Sequence, residues 1–428
     1  MSALGIPRHV GTIDPRNVEH ILKTNFENYI KGPEFHSSMS DLFGDGIFNA
    51  NGEEWKYQRK TASHIFNVKN FRDQFTEQEI SIMKDQMLDK AVAENTVIDF
   101  HDMMYRFTLD SFIMIGFGVQ LSALSSKEKV PFAAAFDEAQ KNTFLRFVNP
   151  TWPVSERIFD FLTPWRTSMS KNLNTVDSFA REVIENRRVE HAKGVVHKDL
   201  LSRFMDARNP QGEPLSNNEL RDIILNFVIA GRDTTAQALS WTFYMLLCHP
   251  RIEAKLFDEI NEHITDEVTQ DSTALYEVIK DMKYAHAIFY EVLRHYPSVP
   301  ANQKFALNDD IWPDGTHVRK GDYILWSPYS QGHSEKVWGP DAKQFRPERW
   351  ITETGELRRE TQGQWPVFHA GPRVCLGQHL ATLEALVVII SLVRQYKFIL
   401  LPQPNITYQV SLTLPMKYGM KVMVQKRL

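Results

Sequence analysis

The chain holds two cysteines, and one of them, Cys375, stands in Phe368-His369-Ala370-Gly371-Pro372-Arg373-Val374-Cys375-Leu376-Gly377. A thiol that follows a Gly-Pro-Arg loop and directly precedes the apolar run Leu380 to Val393 falls at a predicted helix N-terminus. Backbone N–H groups and the helix dipole favour a thiolate there, and a thiolate can ligate iron. Gly371 and Gly377 carry no Cβ, so the backbone can approach a flat macrocycle. Arg373 is a permanent cation suited to a propionate, and Phe368 can shield the sulfur from water. Together these properties suit a haem. The competing reading of a lone cysteine is an inert, packed thiol; Cys248, in Leu246-Leu247-Cys248-His249-Pro250, is read in that way.

A second group able to do chemistry is Ala230-Gly231-Arg232-Asp233-Thr234-Thr235, a polar interruption after the apolar run Ile223 to Ile229. Gly231 leaves room beside the backbone, and the Thr234 hydroxyl can bond the carbonyl of Ala230, opening the helix locally into an oxygen-sized notch. An acid and an alcohol side by side, Asp233 and Thr234, are what a site needs to pass protons to dioxygen. The plainer alternative is that Asp233-Thr234 caps a new helix after a break. The element that carries them has a clear start, because Leu215-Ser216-Asn217-Asn218-Glu219-Leu220 offers a capping box from Ser216 to Glu219 and a hydrophobic staple from Leu215 to Leu220. Its stop is His249-Pro250. A helix from Asn217 to Cys248 would be ~48 Å long, enough to pass through the core.

Phe368, Gly371, Arg373, Cys375 and Gly377 fill the F-x-x-G-x-R-x-C-x-G signature of the cytochrome P450 haem-thiolate monooxygenases, a family that the chain resembles from Thr12 onward. The stretch at Ala230 resembles that family's A-G-x-D-T-T motif. Glu291 and Arg294, with Phe345-Arg346-Pro347-Glu348-Arg349-Trp350, resemble its E-x-x-R and P-E-R-W elements. That likeness implies a structural cluster of Glu291, Arg294 and Arg349 under the haem-binding core. Trp55 and Arg59 match its W-x-x-x-R helix, which implies contact with a haem propionate; Lys304 is a weaker candidate for the same carboxylates. Asp14-Pro15 through Phe35, Gly44-Asp45-Gly46-Ile47-Phe48-Asn49 and Tyr296-Pro297-Ser298-Val299-Pro300 narrow the resemblance to the eukaryotic long-chain fatty-acid ω-hydroxylases. By that likeness Phe48, Phe227, Ile229, Val299, Pro300, Leu412 and Leu414 line a channel for an alkyl chain, although each is equally suited to an ordinary core.

The resemblance implies haem b as cofactor and insertion of one oxygen atom from dioxygen into a C–H bond, at or near the end of a fatty acid. The electrons would come from NADPH through a separate flavoprotein reductase docking over the Cys375 face, since no G-x-G-x-x-G loop is present and Gly44-Asp45-Gly46 lacks the third glycine. Two alternatives stay open: a haem-thiolate isomerase or dehydratase of fatty hydroperoxides, and a haem-binding remnant without turnover.

The 428 residues, 43% hydrophobic and 24% charged, have the make-up of a globular protein with a large core, and the net charge of -4 offers no polycation for nucleic acid. Two distant cysteines fit a reducing compartment. Helical periodicity predicts helices at Arg16 to Thr24, Gly52 to Ile65, Phe71 to Val92, Phe100 to Phe117, Ser170 to Ala192, Asn217 to Cys248, Arg251 to His263 and Leu275 to His295. Between Asn302 and Trp326, and after Tyr396, β-branched and aromatic residues alternate with turn formers and predict short strands. The expected architecture is one mainly helical domain over 1–428 with small β-sheets, an α+β unit of the cytochrome P450 type. Met1 to Arg16 has no apolar stretch, and the longest apolar run, from Ala385 to Val393, is far short of the ~18 residues that span a bilayer. Against the family pattern this predicts a chain without the N-terminal anchor, first helix and first sheet strands, whose strands around Lys304 and Tyr323 present open edges. The intact parent would belong at the cytosolic face of the endoplasmic reticulum membrane. A chain without an anchor would be cytoplasmic with peripheral membrane contact.

Overall fold

In a computed structural model, which describes residues 8–63, 79–126, 128–163, 165 and 167–427, helices form most of the chain and three small sheets lie around them. The long helix is present as anticipated. Ser216 accepts from the Glu219 backbone N–H (3.3 Å) while the Glu219 carboxylate accepts from the Ser216 N–H (2.7 Å), and Leu215 and Leu220 are both buried. From Asn217–Val228 the helix passes through a π-helical turn, Ile229–Asp233, into Thr234–Cys248. Its apolar surface joins two hydrophobic clusters. Ile223, Leu225 and Val228 pack with Phe132, Phe136 and Ile184 on one side, and Leu239, Trp241 and Phe243 pack with Phe100, Ile288 and Leu386 on the other.

Phe100–Phe117 is helical over the anticipated span, because Asp99 accepts from the N–H groups of His101 and Asp102 and Gly118 ends it in the left-handed region. The expected helix from Leu275 to His295 is two helices, Ser272–Asp281 and Lys283–His295. Glu259, from the helix Pro250–His263, accepts from the N–H groups of Tyr284 (2.7 Å) and Ala285 (2.8 Å), so a remote carboxylate caps the second helix. Residues 64 and 65 of the expected Gly52 to Ile65 helix, and 71 to 78 of the Phe71 to Val92 helix, lie outside the described residues; Gly52–Ser63 is helical. Further helices form at Pro33–Phe43, Pro131–Val148 and Trp152–Leu162, each with a proline in its first turn, where the missing N–H costs nothing. Cys248, read from sequence as packed, is exposed at the end of the long helix.

The main sheet corrects one expectation. Its order is β1 (His9–Thr12), β7 (Tyr323–Trp326), β4 (Asn302–Ala306), β2 (Tyr29–Ile30). β1 runs parallel to β7, from His9 opposite Tyr323 to Thr12 opposite Trp326, and β2 pairs antiparallel with β4. The strands around Lys304 and Tyr323 therefore have neighbours on both sides, and the open edges foreseen there are covered by strands from the N-terminal region. A second sheet joins β3 (Ile98–Asp99), β9 (Lys421–Lys426) and β8 (Tyr396–Leu400), and β5 (Asp310–Ile311) pairs with β6 (His317–Val318).

Candidate active site

Cys375 precedes the helix Gln378–Gln395 by three residues, in a loop closed by its own N–H donating to the Phe368 carbonyl at 2.8 Å. Its side chain keeps accessible surface although it is set deep in the fold. That depth pushes the thiol up, against the Gly377 backbone N–H and the Arg59 guanidinium, which both favour the thiolate. Phe368 is half-buried beside Trp365, with ring centroids 5.7 Å apart. Gly371 also shapes the packing of the loop itself. It lies at φ +60°, and a Cβ there would fall 2.1 Å from the Leu22 carbonyl oxygen, so its bareness lets the loop pack on the turn His20–Thr24.

Around this loop gather cations without carboxylates among the described residues. Arg373 donates to the carbonyl of Ala50 (2.7 Å) and lies 4.4 Å over the Trp55 ring, while its Nε has no hydrogen-bond partner among the described residues. Burial, then Arg59, pushes Arg373 down to about 10. Arg59 lies 5.9 Å from the same ring, and burial lowers it too. Lys304 of β4 is fully buried, and its Nζ has no hydrogen-bond partner among the described residues. Buried Lys31 and half-buried His369, which the sequence did not single out, lie beside it. Unpaired buried cations are costly. A ligand with two carboxylates answers that cost, and haem, with two propionates, fits this donor set beside a thiol.

In the long helix the Thr234 hydroxyl donates to the Ala230 carbonyl at 2.7 Å, across the π-helical turn. The widening of the helix agrees with the sequence reading, but the room beside Gly231 is not open. A Cβ at Gly231 would fall 1.8 Å from Phe112 Cδ2 of the helix Phe100–Phe117, so Gly231 accommodates that ring. The bulge is also pinned by Ser298, whose hydroxyl donates to the Thr234 carbonyl at 2.8 Å. The Asp233 carboxylate accepts from Gln140 Nε2 (2.9 Å) and Arg232 (3.2 Å). Arg232 in turn pairs with Asp137 at 2.7 Å and covers the Tyr105 ring. Burial pushes Asp233 up to about 6, opposed by the Arg232 charge, with Asp137 adding to the rise. A cavity of about 540 Å³ opens on this network, lined among others by His101, Tyr105, Asp137, Gln140, Arg232 and Asp233. Its lining mixes charged and apolar groups, and none of the seven substrate candidates lines it.

Several of those candidates come together: Leu414 donates its N–H to the Ser298 carbonyl, next to Val299, at 3.1 Å, and Leu412 packs against the cluster that holds Phe227 and Ile229. Phe48 is half-exposed and donates its N–H to Asn226 Oδ1; Ile229 and Leu414 are buried; Val299, Pro300 and Leu412 are half-buried. Phe227 is buried and meets Phe204 of the helix Leu200–Asp206, with ring centroids 6.2 Å apart.

The sequence-read ionic cluster is assembled and dry. Glu291 accepts from Arg294 Nε and Nη2 (both 2.8 Å), Arg349 Nε (2.9 Å), the Arg346 backbone N–H (2.9 Å) and Trp350 Nε1 (2.9 Å). Burial alone would raise its pKa, but Arg294, His295 and Arg349 hold the carboxyl well below the usual range.

The cysteine loop beside its cations suits a haem held through a thiolate, and the widened helix carries an acid and an alcohol in succession. The family description "Cytochrome P450" matches residues 3–422. Similar proteins include cytochrome P450 704B1 of Arabidopsis thaliana, 37% identical over 97% of this chain and 86% of its own length. Cytochrome P450 86B1 of the same plant is 38% identical over 96% and 76%, and cytochrome P450 94A2 of Vicia sativa is 35% identical over 98% and 82%. The chain belongs to the cytochrome P450 family of haem-dependent monooxygenases.

Proposed function

We propose that this chain hydroxylates a long-chain fatty acid or related alkyl compound at or near its end, with haem held through Cys375. The observation that carries the haem assignment is the convergence of Lys304, Lys31, Arg373 and Arg59 near the Cys375 loop without a carboxylate among the described residues. Trp55 and Arg373 would steady one edge of the macrocycle, and Gly377 would keep the sulfur charged through its N–H. Bound haem supplies oxygen activation, in which a thiolate donor favours cleavage of the O–O bond. The protein's share is proton handling: Asp233 holds a proton near pH 6 and exchanges it with the adjoining cavity, and the Thr234 hydroxyl relays it across the widened helix. The substrate assignment rests on the ω-hydroxylase resemblance of the Gly44 to Asn49 and Tyr296 to Pro300 segments. Ile229, Val299, Pro300, Leu412 and Leu414 supply apolar walls. NADPH electrons arrive through a separate flavoprotein reductase.

A membrane surface belongs to the same reading. The helix Trp152–Leu162 buries none of its residues and leaves Val154, Ile158, Phe161 and Leu162 exposed, with Trp165 beyond its end. Such a face suits the bilayer in which a fatty acid resides. No described helix is long and apolar enough to cross a membrane. Titration of fatty acids of increasing length, followed by the spin-state shift of the ferric haem, tests the substrate class. If sterols or small aromatics shift it and fatty acids do not, the substrate assignment falls. Vesicle flotation that is unchanged in Phe161→Asp with Trp165→Asp removes the membrane assignment.

A further inference from the structure

Lys31 and Lys304 reach one buried place from separate elements. Lys304 is the middle residue of β4, and Lys31 directly follows β2, its sheet neighbour. Lys304 is fully buried, 5.5 Å from the centre of the Phe26 ring, and its ammonium has no hydrogen-bond partner among the described residues. Lys31 lies 4.2 Å over the Phe35 ring. The charged and titratable groups that face the pair are each other, Arg373 and His369 from the cysteine loop, and no carboxylate among the described residues. Two flexible ammonium groups are therefore held beside fixed positive charge, with ring faces as their remaining attraction.

We propose that Lys31 and Lys304 are a proton-uptake pair for haem, so that binding of the propionates draws protons from solution and the hold on haem weakens as pH rises. The inference rests on the haem reading above. Burial, then the Arg373 charge, pushes Lys31 down to about 7, and burial with Lys31 and Arg373 holds Lys304 well below the ordinary range. A carboxylate within contact distance favours the charged form and restores each ammonium. The haem-bound state then carries more protons than the haem-free state, so association is favoured by acid. Above about pH 7 the association constant should fall by up to ~10-fold per pH unit for each lysine.

The test is the partition of haem between the full chain and apomyoglobin from pH 7 to 9. It is run for the wild type, Lys31→Arg, Lys304→Arg and the double variant, with Lys31→Met and Lys304→Met as uncharged controls. The acceptor's own pH dependence is common to all and cancels in the comparison. Association by the wild type should fall about 10- to 100-fold per pH unit. Each arginine, which stays charged throughout, should remove up to about one factor of ten per unit while retaining haem at pH 7, and each methionine should remove the same factor with weaker binding. A flat wild-type profile, or equal slopes in wild type and both arginine variants, overturns the pair. The reduced carbonyl spectrum separates the two readings. A wild type without the red-shifted thiolate band refutes the haem assignment itself, whereas a normal band with a flat partition refutes the proton uptake alone.

Discussion

Replacing Glu291 by alanine removes the acceptor of five hydrogen bonds and leaves the guanidinium groups of Arg294 and Arg349 without their shared counter-charge. Glu291 and Arg294 are both fully buried, so water cannot take over that role. Breaking a buried ion pair from one side costs ~3–5 kcal/mol, a large part of the ~5–15 kcal/mol that holds a domain together. At ~2.1 cal/mol/K per residue, the 428 residues unfold with an entropy of ~0.9 kcal/mol/K, so the melting temperature should drop by ~3–6 °C. Glu291→Gln keeps an acceptor oxygen and should lose less. The assay is thermal unfolding by far-UV circular dichroism, with haem content measured on the same samples. Because the folded carboxyl lies below its unfolded value, its contribution is present above the usual glutamate pKa of ~4.3 and fades as pH falls below it. The gap between wild type and Glu291→Ala should therefore be full at pH 7 and shrink in acid. Equal melting temperatures at pH 7, with normal haem content, would show that the charges are not interdependent.

Gly231→Ala should destabilise the fold by ~1–3 kcal/mol, because the new methyl meets the Phe112 ring; Phe112→Leu should restore part of the loss in melts, and an unperturbed Gly231→Ala protein would refute the contact. Thr234→Ala should keep haem and substrate binding but divert electrons to hydrogen peroxide, read as product formed per NADPH consumed; full coupling would refute the relay. Gln140→Leu removes a donor that favours the ionised form of Asp233. The limb of the pH–coupling profile that titrates near 6 should move to higher pH, and an unmoved limb would separate Gln140 from proton handling.

Local signals were legible in the residues alone. The Ser216 and Glu219 capping box, the Phe100 to Phe117 helix and the cysteine loop each depend on neighbours within a few positions, where spacing and side-chain type suffice. Contacts between distant segments were not. Nothing near Gly231 announces Phe112, and nothing near Gly371 announces the Leu22 carbonyl it must pass. Glu259 looks like any surface glutamate until it caps a helix from a neighbouring element. β1 and β2, with four and two residues, are too short for alternation to mark them, and they cover the strands expected to lie open. Lys31 has no local signature either, since its meaning arises only from Lys304, Arg373 and His369 beside it.

The most direct test of the central assignment is the carbonyl-bound spectrum of the reduced protein, recorded for the wild type and for Cys375→Ser. A thiolate ligand predicts a strongly red-shifted Soret band in the wild type and its loss in the variant, because a neutral hydroxyl cannot replace the thiolate as electron donor. The same band in a well-folded Cys375→Ser protein would contradict the account.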